Sequence, residues 1–293
     1  MSLRAQIIEY VSNQTQVSLT DLYTTFANVP NTTIRGRVNE ATKDQVLIRV
    51  ARGIYILASD DIDAMVIHGN SLELVPELIG AGVEYDMVFL DIPYNLGGQK
   101  GGNRNLSNYN LIEPDVFEQL LQHIVTGLKN QHSQVYFMIA GGRSSYVKAL
   151  KYIAAFDAVG LKLAAQGQYT KLTSTGKLCN MGKYDMPPEL IQVYSLNGCL
   201  LKPAVQLNFN LQRPPLPKSG GYPTEKPEQL LSTIIEQSTY PNDLILDPFG
   251  GSGKSLKCAL ALNRKMHIID ISENSINNYI KPILQEHSKY EHN

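Results

Sequence analysis

Short apolar runs separated by stretches of helical spacing set the outline of this chain. Residues 87–90, Met-Val-Phe-Leu, form an unbroken apolar run, as a strand buried on both faces requires. A second run, 244–246, ends in Asp247; after a glycine-rich turn, residues 255–262 carry the spacing of a helix. The same patterns predict strands at 64–68, 134–140, 161–169, 189–196 and 265–271. Helices are predicted before Leu78, over 114–128 and over 144–156. Strands and helices that alternate in this way make an α/β chain.

The first sixty residues follow a different pattern. Leu3, Ile7, Ile8 and Val11 make a helical stripe, and Ser18 opens a second helix with Asp21 at the capping-box position. A third helix, capped by Asn31 or Thr32, contains Arg35, Arg37 and Val38. Residues 46–50 and 53–57 read as two short strands around Ala51-Arg52. Helices followed by a two-stranded ribbon suggest a winged helix-turn-helix. We therefore expect a unit at 1–59, a linker near 59–63, and a second domain over 60–293. From Asn31 to Gly53, Arg35, Arg37, Lys43, Arg49 and Arg52 outnumber Glu40 and Asp44, so Arg35, Arg37 and Arg52 are candidate contacts to DNA. The alternative is a protein-binding or dimerising unit.

Composition narrows the setting. The formal net charge of −1 does not advertise nucleic-acid binding, so any basic surface must be local. Such a concentration exists: between Ala158 and Thr224 stand Lys162, Lys171, Lys177, Lys183, Lys202, Arg213 and Lys218, against only Asp185 and Glu189. Lys171, Lys177 and Arg213 are candidate DNA contacts there. Residues 97–110, rich in Gly and Asn, supply two more in Lys100 and Arg104, on a loop able to close over a substrate. No apolar run approaches a membrane span and no signal sequence is visible. Cys179, Cys199 and Cys258 lack metal-ligand spacing and read as reduced thiols of a cytoplasmic protein with no zinc site.

Two strand ends carry the chemistry. The 87–90 strand stops at Asp91-Ile92-Pro93-Tyr94, because Pro93 cannot donate to a ladder and biases Ile92 away from helix. A carboxylate, a stiff turn and an aromatic ring thus sit past a carboxyl strand end, where open α/β sheets bind ligands. The other end is Asp247-Pro-Phe-Gly-Gly-Ser-Gly-Lys-Ser, glycines that admit close backbone approach before a helix start that favours anions. It is not a P-loop, whose first glycine would fall at Pro248, nor a dinucleotide fingerprint, whose last glycine would fall at Leu256. Asp270, ending the next strand, is suited to ribose hydroxyls.

Together these stretches resemble the DNA amino-methyltransferases that use S-adenosylmethionine, with their Asp-Pro-Pro-Tyr tetrad and Asp-Pro-Phe-x-Gly-Ser-Gly-Thr loop. Tyr222-Pro-Thr-Glu-Lys-Pro is similar to a third motif of that family, His-Pro-Thr-Glu-Lys-Pro. The tetrad precedes the cofactor loop, the circularly permuted order of the β class. The resemblance implies a Rossmann-like methyltransferase sheet, with a short target-recognition region at about 197–222. Asp247, Phe249, Gly251, Gly253 and Asp270 would line the cofactor, and Thr224 and Lys226 would hold its amino-acid end. Asn70 stands where the family has an acidic contact, which weakens or replaces that contact. Asp91 and the carbonyl of Ile92 would accept the two hydrogens of an exocyclic base amine, with Pro93 stiffening the turn and Tyr94 stacking on the extruded base. Ile92 in place of proline and Lys254 in place of threonine are departures. Aspartate at the tetrad's head is more typical of adenine-N6 enzymes; a cytosine-N4 enzyme, or a DNA-binding regulator on an inactive core, is the alternative. The expected partner is double-stranded DNA, with room for a homodimer and no membrane.

Overall fold

The computed structural model describes residues 1–12, 14, 16–44, 46–51, 53–57, 64–92, 112–139, 143–181, 184–185, 187–202, 205–214, 222 and 224–290. Its N-terminal unit runs α1 (Leu3–Ser12), β1 (Val17–Ser18), α2 (Leu19–Thr25), α3 (Asn31–Lys43), β2 (Leu47–Ala51) and β3 (Ile54–Leu57). The three strands form an antiparallel sheet in the order β1-β3-β2. The capping box is as expected, with Ser18 accepting from the Asp21 N–H and Asp21 accepting from the Ser18 N–H. The cap of α3 differs: it is Pro30, with no side-chain hydrogen bond, and Asn31 is already helical. Proline's fixed φ suits the entry of a helix, so no polar cap is needed. Ile7, Val11, Leu22, Ile34, Val38, Leu47 and Tyr55 close a separate core, leaving Arg35 and Arg37 exposed on the opposite side of α3.

The remainder is one mixed α/β unit. Its elements are β4 (Ala64–His68), α4 (Ser71–Gly80), β5 (Met87–Leu90), α5 (Pro114–Thr126), β6 (Gln134–Ile139) and α6 (Arg143–Ala158). They continue with β7 (Lys162–Leu172), β8 (Asn180–Met181), β9 (Tyr184–Asp185), β10 (Glu189–Ser195), β11 (Asn208–Gln212) and α7 (Glu228–Ser238). The last are β12 (Leu244–Asp247), α8 (Lys254–Ala261), β13 (Lys265–Asp270), α9 (Glu273–Ser275), a π-helical turn at Ile276–Ile280 and α10 (Lys281–Tyr290). Eight strands form the central sheet in the order β11-β7-β10-β6-β5-β12-β13-β4. Neighbours are parallel except at β10, which runs against both β6 and β7.

The apolar runs explain this sheet. Every residue of β5 and β6 is buried, as befits strands covered on both faces by helices. On one face Leu74, Leu78, Phe117, Leu121, Ile124 and Phe156 pack on Val88, Leu90 and Phe137. On the other Leu230, Ile234, Leu256 and Ile280 pack on Met87, Phe89, Ile245 and Ile268. From β5 the chain winds outward through β6, and from β12 it winds the opposite way through β13. The paired strands β5 and β12, joined in the register Ile245↔Met87 and Leu246↔Val88, are therefore the switch point, and the crevice opens beyond their carboxyl ends.

Candidate functional site

Asp91 follows the last residue of β5, Asp247 ends β12 and Asp270 ends β13, so three carboxylates lie along one edge of three adjacent strands. Each is held differently. Asp247 is 2% exposed; one oxygen accepts the Phe249 N–H at 3.1 Å and the other accepts the Ser255 hydroxyl. Burial pushes its carboxyl up to about 7, with those two bonds opposing and the charges of Asp91 and Asp270 adding to the rise. Asp270 accepts the N–H of Gly251 at 2.7 Å and that of Ser272 at 2.7 Å. Burial also raises its carboxyl, against the pull of those N–H groups.

These bonds shape the glycine turn. Gly251 and Gly253 have φ of +51° and +73°, in the left-handed region that favours glycine. A Cβ on Gly253 would meet Ile283 at 2.8 Å, and one on Gly251 would meet the Tyr222 ring at 3.4 Å. Gly253 is also the N-cap of α8, whose first N–H groups face the crevice end of the sheet. Ser71, opening α4, donates to the Pro248 carbonyl and ties the turn to its neighbour. A tight backbone cradle flanked by two carboxylates fits a ligand with a ribose and a positive charge, the chemistry of S-adenosylmethionine.

Asn70 caps α4: its side-chain oxygen accepts the Leu72 N–H at 3.2 Å and its amide donates to Glu73 at 3.0 Å. An N-cap is what asparagine does well, and it leaves the side chain committed to the helix. Thr224 is exposed on the turn before α7. Lys254 does not add a free positive charge to the turn, because it pairs with Glu228 at 2.6 Å and lies 3.9 Å from Glu225.

Lys226 is held beside the tetrad. Its ammonium donates to Asp91 and lies 3.6 Å from Glu189, with 10% of its side chain exposed. Glu189, the first residue of β10, also pairs with Lys171. The geometry is a consequence of the strand pairing. Glu189 stands opposite Tyr169 in the β10–β7 register, and Lys171, two residues further along β7, projects from the same face. Lys171 is thus a partly buried ion-pair partner of Glu189. Burial raises the Asp91 carboxyl despite Lys226 beside it. Burial would also raise Glu189, but Lys226 and Lys171 together hold it below the usual carboxylate range. Lys226 is pushed the other way, its two carboxylates outweighing burial.

Among the other expected residues, Lys177 is exposed at the turn between Thr173 and Lys177 beyond β7, and Arg213 follows β11. Phe249 packs partly against the core. Ile92 is 3% exposed and belongs to the core. Pro93, Tyr94, Arg52, Lys100 and Arg104 lie outside the described residues. Sequence reasoning missed Glu189, Ser255 and Tyr222 as site residues. Tyr222 bonds Ser275 at 3.2 Å, meets the edge of Tyr279 and shields Gly251. The signal for Glu189 was present: it is one of two acids in a lysine-rich stretch, and a lone acid among lysines is a candidate counterion.

Comparison with known proteins agrees with the geometry. Residues 192–281, from β10 to the first residue of α10, match the N6/N4 DNA methylase family model. The chain is 24% identical to the DNA adenine methyltransferase YhdJ of Escherichia coli K12, over 72% of this chain and 79% of that protein. It is 52% identical to the Type II methyltransferase M2.LlaDCHI of Lactococcus lactis subsp. cremoris over 52 residues, 18% of this chain. The chain spans 12–23% of the length of the first three curated relatives it matches. Its fold superposes on the solved M1.HpyAVI–SAM complex with a TM-score of 0.54 at 18% identity, covering 75% of this chain and 98% of that one. The matched residues 192–281 contain the glycine turn and the carboxylates Asp247 and Asp270, and over them the chain is similar to the N6/N4 DNA methylases.

Proposed function

We propose that the protein methylates DNA, moving a methyl group from S-adenosylmethionine to the N6 amino group of adenine in a base extruded from the duplex. The observation that carries this reading is the pairing of β5 with β12, which opens Asp91 and the Asp247–Gly253 turn into one crevice. The cofactor supplies an electrophilic methyl on a sulfonium. Gly251, Gly253 and Phe249 would line it, Asp270 would take its ribose, and Asp247 would act by holding the turn in shape. An exocyclic amine is a poor nucleophile while its lone pair is shared with the ring. Asp91 and the Ile92 carbonyl would accept its two hydrogens and turn the lone pair toward the methyl, so the chain contributes orientation and hydrogen bonding. Tyr94 would offer the base a stacking face. Incubation with unmodified genomic DNA and methyl-labelled cofactor, then digestion to nucleosides and mass analysis, should give N6-methyladenine. N4-methylcytosine would transfer the reading to the other branch of the family. Cofactor binding with no methyl transfer would favour a regulator on an inactive core.

The contact that Ile92 would make is main-chain, so Ile92→Pro, which restores the family tetrad, should retain activity per folded molecule. It should lower stability by about 1–2 kcal/mol, because a packed core side chain is reduced. Single-turnover rates and thermal unfolding check this. A large rate loss with the fold intact would mean that Ile92 has a further role.

For the N-terminal unit we infer a winged helix-turn-helix that holds DNA. Its support is the order helix, strand, helix, helix, strand, strand, with β3 between β1 and β2. Arg35 donates to the Tyr23 hydroxyl and Arg37 pairs with Glu40, both on the exposed side of α3. Lys177 and Arg213 would add to the DNA contacts. Replacing Arg35 and Arg37 together by alanine should weaken DNA binding across all sequences. The slope of log K against log salt should fall by about one for each phosphate that an arginine no longer neutralises. Equal affinity and slope would turn the unit toward dimerisation or a protein partner.

A further inference from the structure

We propose that Lys226 is the counterion and positioning residue of Asp91 rather than a ligand of the cofactor's amino-acid end, and that Glu189, with Lys171 behind it, holds Lys226 in that place. Four charged side chains from four segments meet here: Asp91 after β5, Lys226 before α7, Glu189 on β10 and Lys171 on β7. The charges alternate in the order Lys171, Glu189, Lys226, Asp91 and sum to zero. Lys226 and Glu189 are each about nine-tenths buried, so neither is a surface pair of negligible consequence. The role that this gives Lys226 in catalysis rests on the reaction proposed above; its role as counterion does not.

Two consequences follow for Asp91. The ammonium occupies one carboxylate oxygen, and among the described residues no bond takes the other, which can accept a hydrogen from the base amine. The ammonium also favours the charged form of a carboxyl that burial pushes toward its neutral form. The charged groups that bear on Asp91 are Lys226 and Glu189, then Lys171, with Asp247 acting from β12. A protonated Asp91 would present an O–H where an acceptor is required. Methyl transfer should therefore fail on the acid side of the Asp91 titration, and loss of Lys226 should move that limit upward.

The test uses the full chain as wild type, Lys226→Met, Lys226→Arg and Glu189→Gln. The carbon-13 carboxyl signal of Asp91, assigned by its loss in Asp91→Asn, is followed against pH. Its midpoint should rise by about one pH unit or more in Lys226→Met and return most of the way in Lys226→Arg, and in Glu189→Gln, which takes a like charge away from Asp91, it should fall. An unmoved midpoint in Lys226→Met overturns the proposal. Calorimetric affinity for S-adenosylmethionine should change less than about threefold in Lys226→Met, and a loss of about tenfold would return the lysine to the cofactor and overturn it. The single-turnover rate on unmodified genomic DNA should lose its acid limb at correspondingly higher pH, and a limb that ignores a shifted midpoint overturns the positioning role. A wild type that transfers no methyl at all refutes the reaction proposed above, and the carboxyl titration still decides the counterion. If Lys226→Met does not fold by circular dichroism, the same readouts on Lys226→Gln decide.

Discussion

Asp91→Ala should lower the single-turnover rate of methyl transfer by at least about a hundredfold and leave the affinity for S-adenosylmethionine within about threefold. The carboxylate is the one charged acceptor that the tetrad offers to the base amine, and a bond to a charged acceptor contributes about 1.5–3 kcal/mol. It contributes to rate only if it strengthens as the amine develops positive charge, which a carboxylate does and a neutral amide does less. Asp91→Asn should thus fall between wild type and alanine. Neither substitution touches the glycine turn, whose partners are Asp247, Asp270, Ser255 and Ser71. The alanine variant should still fold, because Lys226 keeps Glu189 as a partner when Asp91 is gone, and the cost of an unpaired buried charge is avoided. Thermal unfolding, calorimetry with the cofactor and rapid-quench methylation of unmodified DNA measure the three quantities. An alanine variant with more than about a tenth of the wild-type rate would remove Asp91 from the reaction.

The difference between what was legible in the sequence and what was not follows from the range of the interactions. Strands β4, β5, β6 and β12 declare themselves because burial on both faces makes the run predominantly apolar, and Asp91 and Asp247 declare themselves at the ends of two of them. Short elements such as β1, β8 and β9, of two residues each, exist through pairing, β1 with the distant β3 and β8 with β9, and have no pattern of their own. β11 shows the same limit: Asn-Phe-Asn-Leu-Gln carries no apolar run, yet Asn208–Gln212 forms a strand because β7 offers it a parallel edge. Charge is the harder case. A lysine count makes Lys171 a candidate phosphate contact, and its pairing with Glu189 is set by the β7–β10 register, which no local window contains. Lys254 is spent on Glu228 in the same way. Lys226 sits in a motif that directs the eye to the cofactor, whereas the turn before α7 delivers it to Asp91.

Asp247 should make the folded chain less stable as pH rises from about 4 to 7, and Asp247→Asn should abolish that dependence. Its carboxyl sits at about 7 in the folded state against 3.8 as the ordinary value. Between those limits the folded chain holds a proton that the unfolded chain has released, so unfolding becomes easier with each unit of pH. The effect is absent below the lower limit, grows across the window and is complete above pH 7, where it reaches about 4 kcal/mol from the shift in pKa at about 1.4 kcal/mol per unit. Asparagine is neutral throughout. Its oxygen still accepts the Phe249 N–H and its amide donates to the Ser255 oxygen, so the turn keeps its shape and the variant should be the more stable protein above pH 7. Alanine removes both partners. It leaves a buried N–H and a buried hydroxyl unpaired, at about 1–3 kcal/mol each, on the turn that would lie under the cofactor. Asp247→Ala should therefore weaken S-adenosylmethionine binding about ten- to a hundredfold, in proportion to about 1.4–2.8 kcal/mol of lost preorganisation, while Asp247→Asn stays close to wild type. Urea unfolding of the three proteins between about pH 4 and 8, with cofactor calorimetry at about pH 8, measures both effects. If asparagine loses as much affinity as alanine, the negative charge of Asp247 acts on the cofactor itself; if the wild-type and asparagine stabilities run parallel across the window, the carboxyl is not held protonated by the fold.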